Sequence, residues 1–458
     1  MEKSLKVMFI VPYISRDLDG CALVGYILKK KYGIESVFVN GYSTKQKIFK
    51  YQPDAIIWDH LAWDFKVKDL IFANSCGIKT FCLPTEGFFI IPKDGIKATG
   101  EYHGSEPYLD IFFTWGEFVK DAIIDYNALP ESKIKTTGCC RFDFYDYKSY
   151  PNFYLTREEF CKNIGISNVE APIILWAPTS VQIGRHMKTR LRLYTTRGDN
   201  SVTEIEQLFE DGETEYEHHG ALIKKLAKQH PDWNFIIKIH PAAKVEPYLI
   251  FKENNKNIFL GFNAHIRNFL KHSEVLIQRN CTTSSEAWML NIPTIQLEIT
   301  KYHFEGSESF LKGSKVCYSS DDVEKYLVDL ILNKKTVLPP EVIKYREDYI
   351  KKFYFQIDGK ASERVASIIQ STLNQDVDHA IVQSNIKKAE VSYTEDQNQV
   401  IWNRLKDLLG INRNISLRLW KKIKKEGKST ISDGEREATE SEIEILFKKF
   451  AQNEFINK

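Results

Sequence analysis

The stretch that decides the fold of this chain is residues 234–241, with the sequence NFIIKIHP. Its apolar run is short, rich in isoleucine and interrupted only by Lys238, which predicts a buried strand. The strand stops at His240, and Pro241 stiffens the turn that follows. In an open parallel sheet the carboxyl ends of the strands face the ligand crevice, so His240 is expected there. It could hydrogen-bond an anion or protonate a leaving oxygen, or it could end the strand without any chemistry.

Short strand patterns alternate with helical patterns on both sides of this stretch. Further strands are predicted at residues 6–11, 36–39, 54–58, 79–83, 110–115, 134–138, 172–176, 257–260, 274–278 and 294–297. Helical patterns stand between most of them, an alternation typical of βαβ units with a parallel sheet. The polar, aromatic stretch 141–163 interrupts the alternation, which then restarts. We therefore expect an α/β protein with two Rossmann-like domains facing a cleft, over residues 1–165 and 166–374, followed by a linker and helical tail over 375–458.

The bulk composition excludes several classes of protein. A chain of 458 residues is too long for a single ordinary hydrophobic core. Its net charge of +2 is not that of a nucleic-acid-binding protein, so no nucleic-acid partner is expected. Eight scattered cysteines without a CxxC pair indicate reduced cytosolic thiols rather than disulfides or a zinc site. The N-terminus lacks a signal-peptide pattern, and no apolar run approaches the roughly 20 residues of a membrane span. A cytoplasmic protein is expected, with any membrane contact peripheral.

A carboxylate follows the predicted strand at residues 79–83. Glu86 stands just before Gly87, and glycine lets the backbone turn sharply and approach a ligand. A carboxylate that faces the cleft could accept the proton of a sugar hydroxyl as a general base. Alternatively, Glu86 is an ion-paired surface residue or part of a helix start.

Hydroxyl side chains follow the predicted strand at residues 274–278. They are Thr282, Thr283, Ser284 and Ser285. The unpaired N–H groups and the dipole of a helix that starts here attract anions, so these residues are candidates to hold a phosphate. Glu286, one turn into the helix, could bind a ribose hydroxyl. The other interpretation is a capping box, since Thr283 and Glu286 fit the S/T-x-x-E pattern.

Two more polar groups follow strand ends. Thr179 and Ser180 precede a run of cations over residues 185–192, which suits an anionic substrate, although most of these cations are interpreted as a solvated loop. Arg16, Asp17 and Asp19 lie in a predicted loop over residues 12–20. They could bind acceptor hydroxyls or cap the next helix.

Several catalytic classes lose support from missing motifs. The chain has no GxGxxG, no GxxxxGK[ST] and no G-x-S-x-G, which disfavours dinucleotide oxidoreductases, P-loop proteins and α/β-hydrolases. Its histidines show no metal-ligand spacing with nearby Cys, Asp or Glu. No metal and no cofactor are therefore predicted.

Three motifs in order along the chain carry a family resemblance. Glu86-Gly87, His240-Pro241 and the hydroxyl residues at 282–285 resemble the GT-B glycosyltransferases that use CMP-activated sugars, the bacterial sialyltransferases and Kdo transferases. The later DGKASERVASII at residues 358–369 looks like the ending of surface carbohydrate biosynthesis proteins. The resemblance covers roughly residues 1–373. Thr85 departs from the pattern, because those families commonly carry a second acidic residue there.

The resemblance implies an inverting, metal-independent glycosyl transfer in surface polysaccharide biosynthesis, such as that of capsule or lipopolysaccharide. The sugar, a nonulosonic acid or Kdo, would pass from CMP to a glycan or lipid-linked glycan acceptor. Glu86 would be the base, and His240 would stabilise the phosphate of departing CMP. The implied donor contacts are Thr179, Ser180, Lys238, Pro241, Thr282, Thr283, Ser284, Ser285 and Glu286. The implied acceptor contacts are Arg16, Asp17 and Asp19.

Other functions remain open at this point. A CDP-glycerol-type polyol-phosphate transferase, a UDP-sugar GT-B enzyme and a non-hydrolysing UDP-GlcNAc 2-epimerase share the expected architecture. A non-catalytic scaffold of a polysaccharide assembly complex is the alternative of another class. The tail adds a further prediction, because the basic segment 415–425 places Trp420 among lysines and could lie on an anionic membrane surface. Its rival is a helix packed on the donor domain.

Overall fold

The computed structural model describes residues 4–61, 64–86, 105–126, 128–179, 183–184, 202–240, 243–262, 265–299, 308–334, 338–409 and 437–456. Within this part of the chain, two parallel sheets of six strands each carry helices on their faces. The predicted α/β architecture of two Rossmann-like domains is confirmed.

The first sheet is built from residues before 137. Its strands are β1 (Lys6–Ile10), β2 (Glu35–Val39), β3 (Ala55–Trp58), β4 (Lys79–Cys82), β5 (Ile111–Thr114) and β6 (Ile134–Thr136). Its helices are α1 (Ile14–Tyr32), α2 (Thr44–Tyr51), α3 (Asp64–Ser75) and α4 (Glu117–Asp125). The strand order is β2-β1-β3-β4-β5-β6, and every pair is parallel. The strand order reverses between β1 and β3. In such a sheet the ligand crevice lies outside the carboxyl ends of the strands at this point.

The second sheet repeats this plan. Its strands are β7 (Ile173–Trp176), β8 (Asn234–Lys238), β9 (Ile258–Gly261), β10 (Val275–Gln278), β11 (Thr294–Leu297) and β12 (Lys315–Cys317), in the order β12-β11-β10-β7-β8-β9. Its helices are α5 (Arg157–Ile164), α6 (Val202–Gln229), α7 (Leu249–Lys252), α8 (Ile266–Lys271), α9 (Thr283–Met289), α10 (Glu308–Lys312), α11 (Ser320–Ile331) and α12 (Pro340–Tyr354). Strand β8, which carries the NFIIK of the opening stretch, lies between β7 and β9 with all five residues buried.

The predicted loop over residues 12–20 is wrong beyond its first residues. Helix α1 begins at Ile14, so Arg16, Asp17 and Asp19 lie in its first two turns. The N-cap is Tyr13, and no side chain caps the helix. Three polar residues close together in sequence are typical of an exposed loop. Here their side chains take part in buried ion pairs instead.

The last three helices of the described residues return to the first sheet. They are α13 (Ala361–Asp376), α14 (His379–Leu409) and α15 (Glu440–Ile456). Val365, Ile369 and Leu373 of α13 belong to the same buried core as α1, and Phe450 of α15 joins it. The domain limits at 165 and 374 stay a prediction, while the apolar contacts of these helices lie with the N-terminal half.

Helix α13 has Lys360 as its N-cap residue, and the Lys360 side chain does not cap it. The carboxylate of Asp143 accepts hydrogen bonds from the backbone N–H groups of Ala361 (2.7 Å) and Ser362 (2.8 Å). Asp358 instead forms a bidentate pair with Arg364 at 2.8 and 3.0 Å. The cap therefore comes from a residue more than 200 positions earlier, which no local sequence pattern reveals.

The predicted linker at the start of the tail is also wrong, because its residues form most of α14. Val382, Ile386, Ala389 and Tyr393 are spaced three or four residues apart and pack on the second core of the N-terminal half. The surrounding polar residues hide this spacing. The basic segment 415–425 lies outside the described residues. None of the described helices is long and apolar enough to span a lipid bilayer.

Candidate active site

A cavity of about 710 Å³ lies between the carboxyl ends of the two sheets. Glu86, which follows β4, lines it from the N-terminal half, and His240, which follows β8, lines it from the C-terminal half. Both strands run parallel to their neighbours, so their ends open onto the crevice. The volume is in the range of small-molecule sites. The fold thus brings together the two predicted catalytic residues, which are 154 positions apart in sequence.

The N-terminal wall of the cavity is a network of ion pairs. Arg16 holds Asp17 through two hydrogen bonds of 2.8 and 3.0 Å, and its Nη1 donates to Glu86 at 2.6 Å. The same guanidinium reaches the hydroxyl of Thr85 at 3.3 Å. Glu86 leaves 54% of its side chain exposed, whereas Asp17 leaves 3%. Glu86 therefore combines a fixed orientation with access to a ligand, and its ion-pair alternative is also present.

Asp17 is shared by two arginines. Burial raises its pKa, and the neighbouring Arg16 and Arg141 oppose that rise. Arg141 Nη1 lies 3.4 Å from Asp17 Oδ1. Asp17 does not line the cavity, so its visible role is to hold the two guanidinium groups at the wall. Direct binding of an acceptor by Asp17 remains a prediction.

Asp19 faces the other domain rather than the cavity. Its Oδ2 accepts a hydrogen bond from Arg267 at 2.7 Å, and His265 Nε2 lies 3.2 Å away. Burial raises the pKa of Asp19, but the attraction of His265 and Arg267 outweighs burial and leaves the pKa below its usual value. The pair ties α1 to the C-terminal half, because Arg267 lies in α8.

The C-terminal wall carries two basic groups, Lys238 and His240, whose pKa values are lowered mainly by burial. Lys238 is 7% exposed, and its ammonium donates to the carbonyl of Ile239 at 3.1 Å and lies 5.3 Å from the ring centre of Phe269. Burial lowers the pKa of Lys238 to about 8. His240 is exposed into the cavity yet lies deep among protein atoms, and this desolvation, followed by repulsion from Arg16 and Lys238, lowers its pKa to about 4. At neutral pH the imidazole is uncharged.

The hydroxyl residues divide into two groups. Thr282 and Thr283 line the cavity. Ser284 and Ser285 are fully buried behind its wall, and Ser285 Oγ hydrogen-bonds to the carbonyl of Thr282 and to Tyr354 Oη, each at 2.6 Å. The two serine side chains therefore do not reach the cavity in this arrangement.

Glu286 is positioned by the opposite domain. Helix α9 begins at Thr283 with Thr282 as N-cap, and no side chain caps it, so the alternative capping box is not observed. The Glu286 carboxylate instead accepts a hydrogen bond from Tyr145 Oη. Glu286 is 8% exposed and lines the cavity, so a second carboxylate faces the ligand space opposite Glu86.

The remaining predicted donor residues lie away from this wall or outside the described residues. The Thr179 hydroxyl donates to Glu215 at 2.5 Å, and Thr179 does not line the cavity, whereas its neighbour Pro178 does. Burial raises the pKa of Glu215 to about 7 despite this hydrogen bond. Ser180, Pro241 and the basic run 185–192 lie outside the described residues.

Sequence reasoning missed several aromatic and cationic residues of the cavity wall. Trp115, Arg141, Tyr145 and Tyr354 line the cavity, and so does Arg267. For Arg141 and Tyr145 a local signal exists, because both lie in the polar, aromatic stretch 141–163 that interrupts the alternation of strands and helices. In the structure the beginning of this stretch forms part of the cavity wall.

The comparisons with known proteins concern the fold. No protein-family model and no curated protein matches the chain. Among solved structures, one described as a UDP-N-acetylglucosamine 2-epimerase from Listeria monocytogenes is 15% identical, with a TM-score of 0.53, covering 82% of this chain and 98% of the other. S. aureus MnaA with UDP is 14% identical, with a TM-score of 0.52, covering 81% and 97%.

The wall teichoic acid polymerase TagF with CDPG is also similar. It is 12% identical, with a TM-score of 0.50, covering 81% of this chain and 90% of the other. At such low identity these similarities establish the GT-B fold and leave the reaction open.

Proposed function

We propose that this chain is an inverting glycosyltransferase that moves a sugar from a CMP-sugar to a glycan acceptor in surface polysaccharide biosynthesis. The observation that carries the proposal is the single cavity lined by Glu86 of one domain and by His240, Lys238 and Thr282 of the other. A base on one side and anion-binding groups on the other is the arrangement that a displacement at a sugar carbon needs.

In the proposed reaction the Glu86 carboxylate takes the proton of the acceptor hydroxyl. The acceptor oxygen then forms a bond to the anomeric carbon from the face opposite the nucleotide. The bond between that carbon and the phosphate oxygen breaks, and its electron pair leaves with CMP. One displacement of this kind inverts the anomeric configuration. Arg16 holds Glu86 at 2.6 Å and so positions the base.

The C-terminal wall supports binding of the nucleotide phosphate. Lys238 is a buried cation at the cavity, and the described residues give it a carbonyl and an aromatic ring as partners rather than a carboxylate. A bound phosphate would supply the missing negative charge. It would also favour protonated His240, because a nearby anion raises the pKa of an imidazole. Hydrogen bonds from His240 and Thr282 would then stabilise the charge that develops on departing CMP.

The site supports a monophosphate leaving group over a diphosphate. On the C-terminal wall, Arg267 already pairs with Asp19 at 2.7 Å, which leaves Lys238 as the buried cation without a carboxylate partner in the described part of that wall. One such cation matches the smaller charge of CMP. The proposal includes a nonulosonic acid or Kdo as the donor sugar and a glycan as the acceptor. It also includes a reaction that requires neither a metal nor a cofactor.

A test is the thermal stabilisation of the full-length protein by CMP, CDP, UDP and UDP-GlcNAc. A ligand at 100 times its Kd contributes about 2.7 kcal/mol to stability, which a melting curve resolves. We expect CMP to raise the Tm most, and Lys238→Met to remove that rise. Stabilisation by UDP-GlcNAc with no response to CMP would favour the hypothesis of an epimerase. Stronger stabilisation by CDP would favour that of a polyol-phosphate transferase.

The absence of any response to the four nucleotides would favour the hypothesis of a non-catalytic scaffold.

The predicted contact of residues 415–425 with an anionic membrane surface, and the inner-membrane location that follows from it, remain part of the proposal. Helices α14 and α15 flank that segment and pack on the N-terminal half through Ile386 and Phe450. Charge substitutions within the segment therefore test membrane binding better than a truncation that removes both helices.

A further inference from the structure

Arg141 stands at the cavity with most of its hydrogen-bonding capacity unused. It is the second residue of the 3-10 turn Cys140–Tyr145, lines the cavity and leaves 17% of its side chain exposed. A guanidinium has five N–H donors in a fixed planar arrangement. Within the described part of the chain, only Nη1 of Arg141 meets acceptors, Asp17 Oδ1 and the carbonyl of Thr85, and both lie at 3.4 Å. Its Nε is buried and has no hydrogen-bond partner among the described residues.

The neighbouring Arg16 shows what a satisfied guanidinium looks like in the same wall. It reaches both oxygens of Asp17 at 2.8 and 3.0 Å and Glu86 at 2.6 Å. Because Arg16 takes Asp17 in this bidentate manner, Arg141 is left with one long contact to the same carboxylate. Burying a cation without a full partner is costly, so a partner supplied by the ligand would stabilise this wall.

Aromatic rings surround the Arg141 guanidinium. Its central carbon lies 5.4 Å from the ring centre of Trp115 and 4.9 Å from that of Phe142. The Trp115 indole is held by a hydrogen bond of 2.8 Å to the carbonyl of Pro84 and stacks near Tyr354 at 5.9 Å. Trp115 and Phe142 are only 3% and 2% exposed, so the two rings hold the guanidinium in place at the cavity. The positioned guanidinium therefore suits the negatively charged group of a sugar.

We infer that Arg141, with Trp115 and Phe142, forms a subsite for an anionic sugar, one that carries a carboxylate or a phosphate, beside Glu86. The inference rests on the proposed function, because it names the class of sugar that reacts next to this base. Thr85 joins the two residues, since its carbonyl faces Arg141 and Glu86 follows it in the chain. The anion belongs either to the sugar of the donor or to the acceptor, and both sources present the same chemistry.

The test measures binding of glucuronate, glucose 6-phosphate and glucose to the full-length protein in the presence of CMP, by titration calorimetry. We expect the two anionic sugars to bind more tightly than glucose. Arg141→Met should weaken them by about 10- to 100-fold, the loss expected for charged hydrogen bonds, and leave glucose unchanged. Arg141→Lys should weaken them less, because it keeps the charge and loses the planar fork.

Lys238→Met is the matched control, since it removes a buried cavity cation on the opposite wall. It should weaken CMP and leave glucuronate binding, measured without CMP, unchanged. Equal binding of glucuronate to the wild type and to both Arg141 variants overturns the inference, and so does a wild type that binds no anionic sugar. Failure of the proposed function is a separate result, because it would appear as no response to any nucleotide while anionic sugars still depend on Arg141.

A competition experiment separates the two sources of the anion. If CMP-N-acetylneuraminate displaces glucuronate and CMP does not, the anion belongs to the donor sugar. If glucuronate stays bound while CMP-N-acetylneuraminate occupies the protein, the anion belongs to the acceptor. Either result is compatible with the subsite, and the Arg141 variants decide whether the subsite exists.

Discussion

The two walls of the cavity handle buried charge in opposite ways. On the N-terminal wall, ionised groups are paired, as in the contacts of Arg16 with Asp17 and Glu86. On the C-terminal wall, burial lowers the pKa values of basic groups and so favours their neutral forms. The pKa of Lys238 is lowered to about 8 and that of His240 to about 4. A paired wall is preorganised before the substrate arrives. A wall on which burial opposes the positive charge of its basic groups gains most when an anion binds, because the ligand supplies the negative charge that stabilises them.

This contrast explains which of the predicted residues are placed to act in the reaction. Glu86 is oriented by Arg16 and exposed to the cavity, as a base must be. Lys238 and His240 lie on the wall where a phosphate would be stabilised. The same contrast appears behind the C-terminal wall, where Glu215 has a pKa raised to about 7 and His219 a pKa lowered to about 3, both mainly by burial.

The largest expected effect comes from removing the base on the paired wall. Glu86→Gln keeps the shape of the side chain and its contact with Arg16, but it cannot accept a proton. We expect transfer to fall by about 100- to 10,000-fold, with CMP affinity unchanged because CMP is assigned to the other wall. Turnover is measured as CMP release and affinity by calorimetry. Wild-type turnover in this variant would contradict the role of Glu86.

The next largest effect tests whether the N-terminal wall depends on pairing for stability. Arg16→Met leaves Asp17 buried with one distant arginine, and we expect the free energy of unfolding to fall by about 3 kcal/mol. Arg16→Met with Asp17→Asn removes both charges and should recover most of that loss. Urea unfolding measures both. Lys120→Met, which removes an exposed pair with Glu131, is the control and should leave stability unchanged.

If the double variant were no more stable than Arg16→Met alone, the two charges would not act as a pair, and the contrast between the walls would fail on its N-terminal side.

The smallest expected effect is a change in the pH dependence of stability from the neutralised groups. His219 has a folded pKa of about 3, below its unfolded value, so its contribution is lost as pH falls below the unfolded pKa. Glu215 has a folded pKa of about 7, above its unfolded value, so its contribution is present at low pH and lost as pH rises through 7. Between about pH 4.5 and 6.5 the two slopes have opposite signs and offset each other.

Single substitutions separate the two slopes. Relative to the wild type, Glu215→Gln should make stability fall by about 1 kcal/mol for each pH unit below 6.5, and His219→Gln should make it rise by a similar amount. The measurement is urea unfolding at pH 5.0, 5.75 and 6.5. Parallel pH profiles for the wild type and both variants would show that burial does not neutralise these groups.

Much of the architecture is local and could be predicted. Strands such as β8 and β10 are short apolar runs between turn signals, and their alternation with helices predicts two parallel sheets. Strand β12 was missed because three residues are too few to show a pattern. The placement of Glu86 and His240 at strand ends followed from the same reasoning, since parallel strands present their carboxyl ends to one crevice.

What only the tertiary structure decided is which charges meet. The sequence by itself determined the described strands other than β12, the two sheets and the position of the strand-end residues, because hydrophobic periodicity is a property of neighbouring residues. It did not determine that Asp143 caps α13, that Tyr145 holds Glu286, or that Arg141 keeps unused donors beside the cavity. The first two are contacts between residues more than 100 positions apart. All three depend on burial, which exists only once both domains are packed.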